Sequence, residues 1–208
     1  MSESVPGPFF TTATPTDHVH EEETSNAGYF ESLSENDIYF CCVDEVAAAH
    51  ADCTALVHFG EACHSAPTDK IDVKFVLGNM PTFIDEFGAQ LKKVVDQLSS
   101  ENIIVLMDSC FAHEQNQIVD IIKDIVPPTR HVSCANLPSE KSLKEHRENV
   151  YLGREIPSPL RENLPADLIF CGFPNSPLLP VWLLSYPSCV TVTHYNPVEK
   201  TIQHERSY

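Results

Sequence analysis

Positive charge is what this chain lacks first. It has 208 residues, and no lysine or arginine precedes Lys70. Residues 1–69 hold 13 of its 30 acidic residues, so −13 of the formal charge of −17 falls in the first third. An acidic chain does not condense on phosphate backbones, which excludes free nucleic acid as a partner. A peripheral membrane role through a polybasic patch is excluded on the same ground. No apolar run reaches the roughly 18 residues that a spanning helix needs. The start MSESVPGPFF has no basic n-region, no apolar h-region and no arginine, unlike a secretory signal or a mitochondrial presequence. A cytoplasmic protein is the expectation. Glycine is scarce, at seven residues, and GxSxG, P-loop and GxGxxG motifs are absent, so a phosphate-cradling loop is not expected. There is no CxxC pair, which removes the common zinc-ribbon spacing, and no ferredoxin-like run of close cysteines.

What is present divides into three stretches. Residues 1–35 are rich in Ser, Thr, Glu and Pro, with few and scattered aromatics, and read as a disordered acidic tail. Residues 36–69 are compact and Cys-rich. DEVAAAHA at 44–51 reads as a short helix capped by Asp44, and TALVHF at 54–59 as a buried strand ended by Gly60. Residues 70–208 alternate strand and helix signals. Strands are expected at 73–77, 102–107, 131–135, 168–171 and 189–194. Helices are expected at 82–99, 113–126 and 177–186. Segment 136–165 carries Pro, Glu, Lys and Arg without periodicity and reads as surface loop. NIIVLM at 102–107 is apolar throughout, the pattern of a strand covered on both faces. The expected class is α/β, with mostly parallel sheets in repeated strand–helix units. The expected organisation is a tail at 1–35, a partial first α/β domain at 36–69 and a second α/β domain at 70–208.

The chemistry rests on eight cysteines: Cys41, Cys42, Cys53, Cys63, Cys110, Cys134, Cys171 and Cys189. In a reducing compartment they are structural thiols, metal ligands or redox groups rather than disulfides. Cys42 and Cys63 are 21 residues apart (63 − 42). Cys42 is expected to open a helix, whose positive end favours a thiolate. Cys63 is expected past a strand end, at the carboxyl edge of a parallel sheet, where ligands gather in α/β folds. Metal or cluster binding by this pair stands against the blander reading of two buried thiols. Cys110, Cys134, Cys171 and Cys189 sit in or beside expected strands and read as core thiols, and Cys53 as packing. His58, inside an apolar strand, reads as a hydrogen-bonded core histidine before a ligand. Asp44 and Glu45 are weaker candidates as general bases. Glu61, near Cys63, reads as a solvated acid that is able to reach a ligand, and Asp108-Ser109-Cys110 as a helix cap.

The stretch CCVDEVAAAHADCTALVHFGEACHS, residues 41–65, resembles the signature of the diphthamide biosynthesis protein 2 family. The pattern is Cys-Cys-Val-Asp-Glu, an Ala-rich helix, a strand with His and Gly, then Ala-Cys-x-Ser. A looser likeness runs through residues 167–200. The resemblance implies an iron–sulfur protein of the first step of diphthamide synthesis. In that step a 3-amino-3-carboxypropyl group moves from S-adenosylmethionine to a histidine of elongation factor 2. It implies a heterodimer with the paralogous catalytic subunit, diphthamide biosynthesis protein 1. In that pair the protein 2 subunit is the accessory partner, binding its own [4Fe–4S] cluster and supporting reduction of the catalytic one. Cys42 and Cys63 match the family's two first-domain cluster cysteines, with Cys41 as a neighbouring substitute. The family has three α/β domains, a third cluster cysteine in the last, and a strand–helix–strand unit before the Cys-Cys motif. This sequence shows neither that unit nor the third domain, so it reads as a truncated form: a fragment, a spliced form or a faulty gene model. The alternative function is a non-catalytic interaction module that docks on the catalytic subunit without a cluster.

Overall fold

The computed structural model describes residues 42–64 and 70–206. The expected tail at 1–35, and Cys41, lie outside the described residues. Within these limits the chain is α/β with mostly parallel strands, as its alternation implied. Five strands form the main sheet. They are β3 (Asn102–Met107), β4 (His131–Cys134), β7 (Ala166–Cys171), β8 (Cys189–Asn196) and β9 (Thr201–Arg206). Their order is β4-β3-β7-β8-β9, parallel except for β9. A separate parallel pair joins β1 (Ala55–Phe59) to β2 (Asp72–Val76). This pairing crosses the expected domain boundary at residue 70.

The main sheet is covered on both faces, which is why β3 and β7 are almost wholly apolar, the exception in β7 being the buried Asp167, which accepts from Ser100 N and Thr191 Oγ1. Ile103, Val105 and Met107 of β3 face one way and Ile104 and Leu106 the other, all essentially buried. The first face packs against α2 (Ile84–Leu91) and α3 (Gln115–Ile125) through Phe87, Leu91, Ile118 and Ile122. The second packs against α6 (Leu178–Ser185) through Leu178 and Trp182, with Leu160 and Cys189 beside them.

Four expectations are corrected. The helix read over 82–99 is shorter. It ends at Leu91, and the chain tightens through i→i+3 bonds from Lys93 to Gln90 and from Val94 to Leu91 into a 3₁₀ turn at Val95–Gln97. The apolar stripe survives the change of geometry, because Leu98 is still buried. The helix read from residue 113 begins as a 3₁₀ segment, Ser109–Glu114, before α3. Segment 136–165 is not a plain surface loop. It holds α4 (Glu140–Glu145), α5 (Ser158–Arg161) and a hairpin of β5 (Val150–Tyr151) and β6 (Arg154–Glu155). Both turn residues of the hairpin, Leu152 and Gly153, have positive φ, as a type I′ turn requires. Finally β9 is an additional strand, entered through a turn in which Asn196 Oδ1 accepts from Val198 N at 3.1 Å.

Candidate functional site

The carboxyl ends of the parallel strands supply the site. The chain leaves β3 toward β4 on one side, whereas β7 leads to β8 on the other. The crevice between the ends of β3 and β7 is therefore the sheet's topological switch point. Asp108 bridges it, accepting from Phe173 N at 2.8 Å and from Ser176 Oγ at 2.6 Å. Gly172 makes room for this carboxylate, since a Cβ there would lie 2.4 Å from Asp108 Oδ2. Burial drives the Asp108 carboxyl above its ordinary 3.8, against those hydrogen bonds and the Arg154 charge, with Glu61 adding to the rise. Asp108 thus precedes the 3₁₀ segment without capping it, as its partners lie across the crevice instead.

Onto this crevice folds the loop after β1. Gly60 ends the strand at φ +93°, and Glu61 then reaches back to the β3 end. Its carboxylate accepts from Ser109 N and Ser109 Oγ, each at 2.9 Å, and pairs with Arg154 Nη1 at 2.8 Å. The expectation of a solvated Glu61 is overturned, because three donors hold it. Two residues on, Cys63 is 5% exposed. Its Sγ lies 3.3 Å from Cys42 Sγ, well beyond the roughly 2.05 Å of a disulfide. Two sulfurs 21 residues apart in sequence thus converge, Cys63 buried and Cys42 exposed.

The reason Cys42 reaches this point differs from the expectation. Helix α1 (Glu45–His50) begins three residues after it, and Asp44 takes the cap by accepting from Ala47 N at 2.8 Å. A six-residue helix already capped by a carboxylate offers Cys42 no positive end. Positive charge comes from far along the chain. Arg147 Nη2 donates to His64 O at 2.6 Å, and Arg154 pairs with Glu61. Burial first, and then the Arg147 and Arg154 guanidinium groups, hold the His64 imidazole below its ordinary 6.5. Neither arginine was singled out in the sequence, because both lie in the segment read as surface loop. An isolated Gly153 between two short β-like pairs was the available signal.

The other candidates fall into place. His58 is hydrogen-bonded but not the core histidine expected, because β1 alternates exposed and half-buried residues with Val57 and Phe59 exposed; its Nε2 lies 2.9 Å from Glu61 O. Cys171 and Cys189 are buried core thiols. Cys110 and Cys134 are half-buried at the margin of the core. Burial pushes the thiols of Cys134 and Cys189 up to about 11 and that of Cys110 up to about 12. Among the described residues, no group of three or more His, Cys, Asp or Glu side chains is placed to hold a metal ion. The pair Cys42 and Cys63 fits an iron–sulfur group in the softness of its donors and supplies two of them. No helix among the described residues is long and apolar enough to cross a membrane.

Residues 39–208 match the model of the diphthamide synthesis protein family. A relative from Caenorhabditis elegans, named 2-(3-amino-3-carboxypropyl)histidine synthase subunit 2, is 55% identical over 265 aligned positions, covering 99% of this chain and 56% of the relative. A Schizosaccharomyces pombe protein of the same name is 30% identical over 179 positions, covering 85% of this chain and 34% of that protein. A Gallus gallus protein of that name is 36% identical over 110 positions, covering 52% of this chain and 23% of the relative. The chain therefore spans about half the length of the nematode relative, and less of the others. No solved structure matches it significantly.

Proposed function

The chain belongs to the diphthamide synthesis protein family, and from that premise we propose that it acts as the accessory, subunit 2 component of a 2-(3-amino-3-carboxypropyl)histidine synthase in the cytoplasm. Its partner in this reading is the paralogous catalytic subunit, diphthamide biosynthesis protein 1. The complex transfers the 3-amino-3-carboxypropyl group of S-adenosylmethionine to a histidine of elongation factor 2. The observation that carries the reading is the convergence of Cys42 and Cys63, with sulfurs 3.3 Å apart. These are the two positions that resemble cluster ligands in the family signature.

Cys42 and Cys63 would hold a [4Fe–4S] cluster together with ligands outside the described residues. When bound, such a cluster carries single electrons and would support reduction of the catalytic subunit's own. The chain's residues provide the setting. Cys63 supplies a thiol on the buried side and Cys42 one on the open side, where a partner subunit has access. Arg147 and Arg154 bring their guanidinium groups to the two flanks of Cys63, the second paired with Glu61.

The test is anaerobic reconstitution of the full chain with iron and sulfide, alone and co-purified with the catalytic subunit. A brown chromophore with stoichiometric iron is expected. Cys42→Ser and Cys63→Ser should each diminish it, and Cys189→Ser should leave it intact. Absence of iron even with the catalytic subunit bound would sink the cluster role. Co-purification without iron would establish the alternative of an interaction module that docks without a cluster.

A further inference from the structure

Cys63 sits between two tethers that come from one remote segment. On its amino side, Glu61 is gripped by Arg154 at 2.8 Å. On its carboxyl side, His64 O accepts from Arg147 Nη2 at 2.6 Å. Between them, Gly153 presses on the loop backbone, where a Cβ would stand 1.9 Å from Ala62 O and 3.4 Å from Cys63 Cα. Residues 147–154 therefore touch 61, 62 and 64, the immediate surroundings of the thiol.

The segment is itself anchored to the sheet. Arg154 is 1% exposed and donates from Nε and Nη2 to Met107 O, at 3.1 and 2.6 Å, and from Nη1 to Gly153 O at 2.9 Å. All three guanidinium nitrogens are engaged, with four acceptor contacts counting Glu61. Glu155 N donates to Asn136 O and Ile156 N to Asn149 O, both at 2.8 Å, which closes the far side. A buried guanidinium is expensive to desolvate, and its fork geometry fixes every atom it binds. Such a group placed between the β3 end and the Cys63 loop transmits the position of the rigid sheet to the loop.

We propose that residues 147–154 form a strap whose Arg154 and Arg147 are positioning residues for Cys63, holding its sulfur in the place from which it meets Cys42. The strap also brings charge to the loop, with the Arg147 guanidinium on His64 O and the Arg154 guanidinium on Glu61, on either side of the thiol. The strap's importance for an iron–sulfur group rests on the proposed function, whereas its hold on Cys63 does not.

The experiment uses the 208-residue chain in two arms. In the first, without iron, the chain is pulsed with iodoacetamide and labelling of Cys63 and Cys189 is read by peptide mass spectrometry. Glu61→Gln and Arg154→Gln should raise Cys63 labelling about tenfold or more, the factor for a local opening that no longer breaks a charge-assisted bond. Cys189, buried in the cluster on the second face of the sheet, should keep its wild-type rate. Arg154→Lys should fall between, since an ammonium can pair with Glu61 but cannot also fork onto Met107 O. Unchanged Cys63 labelling in Glu61→Gln, the milder variant, overturns the strap. So does a rise at Cys63 matched by an equal rise at Cys189 in that variant.

In the second arm the same proteins are reconstituted with iron and sulfide and titrated for midpoint potential. Arg154→Gln removes a cation and should lower the potential, whereas Glu61→Gln removes an anion and should raise it, although both break the same pair. Shifts of the same sign would refute the charge role. A wild-type chain that takes up no iron even with the catalytic subunit bound, while its labelling pattern follows the first arm, would sink the cluster reading and leave the strap standing.

Discussion

Alanine at Gly153 is the most direct perturbation of the thiol loop, and its size can be worked from the geometry. Two penalties act there. Gly153 has φ +68°, and an L-residue in the left-handed region costs about 1–2 kcal/mol. The added Cβ would also lie 1.9 Å from Ala62 O and 3.0 Å from its carbon. Relief to a 3.0 Å contact needs a movement of about 1.1 Å (3.0 − 1.9), and overpacking of that kind costs about 1–3 kcal/mol. The expected total is about 2–5 kcal/mol. Gly60 supplies the internal reference. It too has positive φ, +93°, but a Cβ added there would meet nothing within 4 Å, so Gly60→Ala should cost only the backbone share of about 1–2 kcal/mol. For a chain of this size 1 kcal/mol moves Tm by about 2–4 °C. Gly60→Ala should thus lower Tm by about 2–8 °C, and Gly153→Ala by clearly more. Thermal unfolding of the two variants and the wild type, followed by the fluorescence of the one tryptophan, measures both. Equal shifts for the two variants would refute the close approach of the strap to Ala62. The proposed function adds a second readout: under it, Gly153→Ala lowers iron uptake on reconstitution and Gly60→Ala spares it.

Trp182 is fully buried against α5 and the second face of the sheet. Trp182→Ala should therefore cost about 3–5 kcal/mol, read as a lower denaturant midpoint at constant m-value. A loss under 1 kcal/mol would mean the face is already loosely packed. Asp108 carries a pH signature. Its folded carboxyl titrates above the unfolded one, so its contribution to stability is fully present below the unfolded value near 3.8 and is lost as pH rises through the raised folded value. The stability of wild type relative to Asp108→Asn should accordingly decline as pH climbs above about 4, and denaturant titrations that show it rising or flat there would contradict it. At pH 8, iodoacetamide should label Cys110, Cys134 and Cys189 slowly, with rates that climb toward pH 11, because burial raises these thiols to about 12, 11 and 11. Fast labelling of Cys189 in the folded chain would disprove its burial.

Strands covered on both faces were the most legible part of the fold. NIIVLM has one interpretation as a six-residue element, and β3 occupies Asn102–Met107. Asp44 was legible as a cap for the same local reason, since its partner is three residues away. The helix over 82–99 was overextended because its apolar stripe continues through the 3₁₀ turn, and periodicity alone does not tell one helical geometry from the other. β9 escaped because TIQHER is a half-exposed edge with charges at its end. In the candidate site, Cys42 and Cys63 could be named from their pattern. Arg154 could not. Its burial is decided by Met107 O and Glu61, 47 and 93 residues away in the chain, and strands of two residues have no period to read. Glu61 was misread as solvated for the same reason, because Ser109 and Arg154, which hold it, are both distant in sequence.

The long span between the thiol loop and its strap has a consequence for synthesis. Arg154 leaves the ribosome 93 residues after Glu61 (154 − 61), which at translation rates of about 5–20 residues per second is a delay of roughly 5–20 s. Throughout that interval the Cys63 loop exists without the segment that grips Glu61 and His64, and its thiol is open to oxidants. Oxidation of this thiol is thus a hazard of the nascent chain more than of the finished one. A cell that slows elongation across residues 65–154, or starves the chain of reduced thiol buffer, should damage this protein before it is complete.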